Sequence, residues 1–178
     1  MRLSIGMLVS LGGVVACGTG PDQPATLGYF LNMNASISDT TPERIRTFSC
    51  GVSGIFHLPN PAPASGTVRF SASVTRTIDE QGGRHFETTR ADSTYTDAVL
   101  AYSGLGDDSL GFTLGAGAYT ASPDSGGVSQ AEPDTYFGSW SCGPDFPFSQ
   151  DSTLGAYGLD PNLQFDGVWQ IQAERPIG

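Results

Sequence analysis

The sequence predicts an all-β domain, folded as an antiparallel sandwich or a partly closed barrel of about eight strands. Apolar and polar residues alternate in five separate segments, which is the pattern of a sheet with one buried face and one hydrated face. No segment has a sustained helical period, and at most one short helical turn is expected, with Thr41 as its N-cap. The mature chain is long enough to bury a substantial core as one domain.

The N-terminus has the pattern of an export signal. A short basic start precedes an apolar stretch over residues 5–16, which is too short for a membrane-spanning helix. The stretch ends in Val-Val-Ala-Cys at residues 14–17, which resembles the lipobox of bacterial lipoproteins. The resemblance implies cleavage before Cys17, lipidation of Cys17, and a lipid anchor in the cell envelope. The residue after Cys17 is Gly18 rather than the aspartate that favours retention in the inner membrane of enterobacteria, which resembles sorting to the outer membrane. The alternative is an ordinary signal peptide cut at the same place.

The three cysteines support the lipoprotein interpretation. If lipid modifies Cys17, Cys50 and Cys142 remain as one pair, which an oxidising compartment joins. We therefore expect an inter-strand disulfide between Cys50 and Cys142. The predicted organisation is a signal peptide (1–16), a lipidated cysteine with a flexible tether (17–26) and a single all-β domain (27–178).

Five alternating segments predict strands in chain order. They cover residues 27–37, 48–58, 67–78, 110–118 and 163–173. In the clearest of them, odd-numbered residues such as Thr77 are expected to face outward. The residues expected to face inward are Val68, Phe70, Ala72, Val74 and Ile78, and Arg76 alone breaks that row. Residues 79–83, Asp-Glu-Gln-Gly-Gly, predict a hairpin turn.

The pattern over residues 84–102 is irregular, and the predicted disulfide helps to interpret it. Cα atoms joined by a disulfide lie within about 7 Å of each other. In an antiparallel chain, Cys50 and Cys142 meet only if an odd number of chain reversals separates their strands. A break near residues 91–93 would give that odd number and a total of eight strands.

Charge narrows the classes of partner. After removal of the signal, 7 arginines face 18 acidic residues, a net charge of −11, and the chain has no lysine. Such a surface repels phosphate backbones, so nucleic acid is not an expected partner. It also repels anionic lipid, so the expected membrane contact is the lipid anchor alone.

Acidic loops are the weak candidates for a metal site. With the break at 91–93, the connections 38–47, 79–83, 103–108 and 143–162 would share one end of the domain. Oxygen-rich loops of this kind bind calcium weakly. The candidate ligands are Asp79, Asp107, Asp108 and Asp145. The alternative is a solvated acidic rim, and no other cofactor is predicted.

The segment 143–162 is long for a loop in a compact domain, and such loops are often functional. Its aromatic residues Phe146, Phe148 and Tyr157 are candidate ligand contacts. Alternatively, they seal one end of the domain as a lid. The tether enters at the opposite end of the first strand, so this segment is expected to face away from the membrane.

Two further motifs are better explained as structure than as chemistry. His85 and Glu87 share one face of a strand, but zinc needs at least three protein ligands. Residues 123–127, Pro-Asp-Ser-Gly-Gly, resemble the Gly-Asp-Ser-Gly-Gly signature of chymotrypsin-like serine proteases, but depart from it at the first residue. Neither histidine has that family's context, and a serine without a positioned base is a loop serine.

Two classes of function remain. The first is a non-catalytic, membrane-anchored envelope lipoprotein that binds or scaffolds an envelope or extracellular ligand. The second is a hydrolase of envelope polymers, which would require a pair of carboxylates about 5–10 Å apart in a groove, as in glycosidases. No catalytic residue is predicted, and the first class is the expectation.

Overall fold

The structure is a computed structural model that describes residues 28–41, 44–57, 63–80, 83–104, 107–132 and 135–173. Its elements are β1 (Gly28–Thr41), β2 (Arg44–His57), β3 (Ala64–Glu80), β4 (Gly83–Ser103), β5 (Ser109–Ala116), β6 (Tyr119–Ala121), β7 (Gly126–Val128), β8 (Thr135–Cys142), α1 (Ser152–Ala156) and β9 (Phe165–Ala173). The predicted lipobox and tether lie outside the described residues. Within the described ranges, no helix has the length and apolar character needed to cross a bilayer.

The strands form one antiparallel sheet that closes on itself as a ring. Hydrogen bonds link the neighbours in the order β4-β3-β2-β1-β9-β8-β7-β5, and β4 pairs with β5 to complete the circle. β6 and β7 both pair with β5 and are consecutive pieces of one interrupted strand. The ring therefore has eight strand positions, and the predicted all-β antiparallel fold class is confirmed.

The core lies inside the ring, where alternate side chains of each strand meet. Trp169, Phe56, Phe70 and Met33 are completely buried there. The inward faces predicted for Val68, Phe70, Ala72 and Val74 on β3 are confirmed. Their neighbours in the sequence point outward, which explains why alternation was a dependable signal for these strands.

The prediction for the end of β3 is wrong. Thr77 is buried and Ile78 is only partly buried, whereas alternation placed Thr77 outside and Ile78 inside. Here the β3–β4 hairpin extends beyond the ring, and Thr77 lies near Ala156 and Tyr157 at the end of α1. A face that points away from the ring is therefore covered by a different part of the chain.

The predicted break near residues 91–93 is also wrong, because β4 runs without interruption through 21 residues. Its pairing with β3 shifts by one residue between Val68↔Tyr95 and Gly66↔Ala98, which places a β-bulge at residues 96–97. The bulge changes the inward positions from odd, as at Tyr95, to even, as at Ala98. This shift in parity explains the irregular pattern that suggested two strands.

The disulfide between Cys50 and Cys142 is confirmed, with a Cα–Cα distance of 6.6 Å. The disulfide requires an odd number of chain reversals between β2 and β8. The interrupted strand β6–β7, which the sequence analysis did not count, makes that number odd. The bond joins β2 to β8 across the two strands between them, at the level where β1–β9 pairing ends at Ala35↔Gly167. The count of eight strands is thus right, although the extra strand was placed in the wrong segment.

The corrected topology also changes which loops share an end. The start of β1 and the end of β4 lie at one end of the ring, whereas the end of β1, the end of β3 and residues 143–164 lie at the other. The connection 103–108 therefore does not join the other acidic loops, contrary to the prediction. Residues 143–164 lie opposite the end at which the chain enters the domain.

Candidate functional site

The candidate site is a groove on the outside of the ring, where two strand edges face each other without pairing. β7 pairs with β8 only at Gly127↔Phe137 and Val128↔Tyr136. Beyond this point, the described part of β8 pairs only with β9, and β6 pairs only with β5. The space between these edges is an open groove of about 600 Å³.

The interruption between β6 and β7 has a local cause. Pro123 has no backbone N–H and therefore cannot donate a hydrogen bond to a sheet ladder. At the next residue, the backbone carbonyl of Asp124 accepts a hydrogen bond from Nε1 of Trp169 at 3.2 Å. The fully buried indole thereby holds residue 124 at a position between the two strand pieces.

The glycines around Trp169 make room for its ring. A Cβ atom at Gly138 would lie 2.6 Å from the indole Nε1, and one at Gly126 would overlap both the indole and the Phe137 carbonyl. Both glycines are therefore required for close packing.

The likeness of residues 123–127 to a serine protease signature is explained by this packing against Trp169. Ser125 is exposed, and His57 lies on β2, which is separated from β7 by three strands in either direction around the ring.

The walls of the groove are polar. Hydroxyls and an amide come from Thr120, Ser122, Ser139, Ser141 and Gln164, and carboxylates come from Asp124, Asp145 and Asp166. The three carboxylate residues are exposed to solvent. The residues that line the groove include no arginine, lysine or histidine. The groove is thus rich in hydrogen-bond acceptors and has no cationic side chain to bind an anion.

The floor of the groove is aromatic. Tyr119, Trp140 and Phe146 lie beneath the polar walls, and each is at least nine-tenths buried. Burial raises the pKa of the Tyr119 phenol from 10.0 to about 12, and the negative charge of Asp145 adds to this effect. The phenol therefore remains protonated, as a neutral donor and acceptor, over the physiological pH range.

Two polar groups of the residues that line the groove differ in their hydrogen bonding. The hydroxyl of Ser141 donates to Oδ1 of Asp166 at 2.7 Å, which fixes this carboxylate beside the β8 edge. The buried Nε1 of Trp140 has no hydrogen-bond partner among the described residues. Such unsatisfied buried donors are uncommon in folded proteins.

The segment 143–164 forms a lid over the end of the ring, as the second of the two predicted alternatives proposed. The Phe146 ring is buried with its centroid 5.8 Å from those of Phe70 and Tyr119. Leu154 of α1 is also completely buried. The side chain of Asp151 caps α1 by accepting hydrogen bonds from the backbone N–H groups of Thr153 and Leu154. This helical turn was not predicted, and Thr41, where a helical turn was expected, ends β1 instead.

The three predicted ligand contacts therefore have different surroundings. Phe146 is part of the core and is only 4% exposed. Phe148 and Tyr157 are partly buried and pack against the core. Among the three, only Phe146 lines the groove, and it does so as part of the floor.

Two arginines hold the far side of the lid. Arg46 donates from Nη1 to the carbonyl of Gly158 at 3.3 Å and forms an ion pair with Asp39 at 2.8 Å. The Arg76 guanidinium lies 4.4 Å from the centroid of the Tyr157 ring. Arg76 also forms an ion pair with Glu87 at 2.7 Å, so that this carboxylate is part of a structural contact.

The candidate calcium ligands do not come together. Asp107 and Asp108 lie in the β4–β5 connection, at the end of the ring opposite Asp145, and the backbone of Asp79 lies near the β3–β4 turn. One ion therefore cannot be bound by all four residues. In the described ranges, no group of three or more histidine, cysteine or acidic residues is arranged to hold a metal ion.

Sequence reasoning missed the groove because it missed the strand that forms one of its edges. β6 has only three residues, too few to show alternation. The available signal was the cluster Ser-Pro-Asp-Ser-Gly-Gly at residues 122–127, which is a typical breaker sequence.

Comparisons with protein-family models, with curated proteins and with solved structures find no match to this chain.

Proposed function

We propose that this chain is an exported, lipid-anchored envelope protein that acts as a non-catalytic binding module through the β6–β8 groove. The observation that carries the proposal is the groove itself, a polar cleft of about 600 Å³ between two facing strand edges that do not pair with each other. This volume lies within the range of about 300–1,000 Å³ that is typical of ligand sites.

The position of the groove supports the anchored arrangement. The groove extends to Gly143, Pro144 and Asp145, at the end of the ring opposite Gly28. A lipid on Cys17 would attach the chain at the Gly28 end through a short tether. The groove would then face away from the membrane, where an envelope or extracellular ligand can reach it.

The anchor is tested by replacing Cys17 with serine in the full-length protein. We expect Cys17→Ser to be recovered in the soluble exported fraction, whereas the native protein remains with the membrane. Retention of the variant at the membrane would exclude the lipid anchor as the only attachment.

The binding role is tested by sedimentation with isolated, detergent-extracted cell envelopes. The Cys17→Ser protein should sediment with this material, and a second substitution, Ser139→Trp, should abolish the effect by filling the groove. Ser53→Trp is the matched control, because Ser53 is also exposed on a strand but lies on β2, away from the groove. Equal sedimentation of both double variants would show that the groove is not the binding site.

A hydrolase of envelope polymers is the second candidate, because Asp124, Asp145 and Asp166 line the same groove. The binding role is favoured because all three are exposed, whereas the acid of a glycosidase is held in an apolar pocket that keeps it protonated. Release of new reducing ends from envelope polysaccharide, lost on replacement of Asp145 and Asp166 by asparagine, would establish the hydrolase instead.

A further inference from the structure

We infer that the β6–β8 groove binds a neutral, hydroxyl-rich ligand, namely the saccharide units of an envelope or extracellular polymer. This inference rests on the proposed binding function and names the chemical class of its ligand. It follows from the charge of the groove, from the hydrogen-bonding groups at its edges and from the directions of the two facing strands.

Charge excludes an anionic ligand first. The groove has three carboxylates and no cationic side chain among its lining residues, within a mature chain of net charge −11. An anion entering it would meet like charges with no compensating partner. Metal cations are disfavoured as well, because the described residues include no cluster of metal-ligating side chains. A neutral ligand meets neither obstacle.

Hydrogen-bonding capacity then selects a ligand that both donates and accepts. The carboxylates of Asp124, Asp145 and Asp166 only accept, the hydroxyls of Ser139 and Thr120 do both, and unpaired strand edges present N–H and C=O groups. Saccharide hydroxyls also donate and accept, and they occur at close intervals along the ring.

An extended peptide is the obvious competitor, because an unpaired strand edge is the usual site of strand addition. β6 and β8 run in opposite directions, since β7 continues β6 and is antiparallel to β8. One inserted strand would therefore be antiparallel to one edge and parallel to the other, with two different hydrogen-bond patterns. In addition, β6 offers an edge of only three residues. A saccharide has no such directional requirement.

The test is a binding screen of the full-length protein in detergent against four sets of immobilised probes. These are neutral oligosaccharides of hexoses and N-acetylhexosamines, anionic oligosaccharides of uronic acids, cationic oligosaccharides of glucosamine, and unrelated extended peptides. Positive probes are then titrated in solution against the native protein and its variants.

We expect binding to members of the neutral set, with an affinity at least tenfold above that for the corresponding uronic acid oligosaccharides. Ser139→Trp and Asp166→Ala should each weaken this binding tenfold or more. Ser53→Trp and Asp108→Ala should leave it unchanged, since neither residue lines the groove. Circular dichroism and urea denaturation of each variant confirm that it is folded.

The outcomes separate this inference from the proposed function. Binding of peptides or charged oligosaccharides that Ser139→Trp abolishes would overturn the saccharide assignment and leave the groove as the binding site. Absence of binding to every neutral probe would also overturn it, while envelope sedimentation would still test the binding role. Neutral saccharide binding that survives Ser139→Trp would overturn the assignment of the groove.

Discussion

The buried Phe146 gives the sharpest test of whether residues 143–164 are a lid. Its ring has only 4% exposure and lies among Phe70, Tyr119, Trp140 and Phe148, with centroid separations of 5.8–6.2 Å. We therefore expect Phe146→Ala to lower the free energy of unfolding as a substitution in a packed core does, rather than to affect ligand binding alone.

The magnitude follows from two contributions. Burying a phenylalanine side chain contributes about 1.5–3 kcal/mol from apolar transfer. Removing the ring also leaves a cavity and forfeits aromatic contacts, so that truncation of a buried phenylalanine to alanine costs about 3–5 kcal/mol. Domains are typically stable by about 5–15 kcal/mol, so Phe146→Ala should remove a large share of the total.

Urea denaturation of the full-length protein, followed by circular dichroism, measures this loss. The matched control is Phe137→Ala, since Phe137 is 53% exposed on the outer face of β8 and its truncation should cost about 0.5 kcal/mol. A loss for Phe146→Ala as small as that of the control would refute the reasoning, because the lid would then contribute nothing to the core.

Three more predictions test the contacts around the groove and lid. Replacing both Cys50 and Cys142 by alanine should cost about 4–5 kcal/mol in the chain-entropy model for a separation of 92 residues, measured by urea denaturation without reductant; a loss below about 1 kcal/mol would contradict that model here. The Tyr119 pKa is raised on folding from 10.0 to about 12, so its protonated form contributes stability that is fully present below pH 10 and is lost as the pH rises towards 12. Tyr119→Phe should abolish this part of the alkaline destabilisation, at most about 2.7 kcal/mol, and an unchanged stability–pH curve would argue against the shift. Arg76→Met should lower the free energy of unfolding by about 1 kcal/mol and speed amide hydrogen exchange around Tyr157, because the cation–π contact is lost. Equal exchange rates in the variant and the native protein would count against a role of Arg76 in holding the lid.

The sequence predicted those parts of the fold in which one face of a strand is buried by the ring. Alternation over residues 68–74 identified the inward side of β3, because each even-numbered residue there is buried in the core and each odd-numbered residue is exposed or only partly buried. The same rule failed at Thr77, where a distant segment covers the hairpin. It also failed in β4, because the bulge at residues 96–97 changes the inward parity and no residue type there marks a bulge.

The candidate site was less predictable because its residues come from three separated segments, 119–124, 139–146 and 164–167. Tyr119, Asp124, Trp140 and Asp166 share no sequence motif and meet only after the ring has closed. The sequence did predict the Cys50–Cys142 disulfide, because the assignment of Cys17 to lipid left these two cysteines as one pair. It could not show which strands lack a partner, because pairing of strand edges depends on the whole topology.

The interrupted strand connects the fold to the site. As a chain reversal, β6–β7 makes β2 and β8 antiparallel and allows Cys50 to meet Cys142. As an incomplete strand, it leaves the β8 edge from Gly138 onward without a partner and so creates the groove. The disulfide ends at the same stretch of β8 and joins it to β2, which keeps this unpaired edge in place. A strand edge that is fixed on one side and unpaired on the other is well suited to bind a ligand without rearrangement, which lowers the entropy cost of binding.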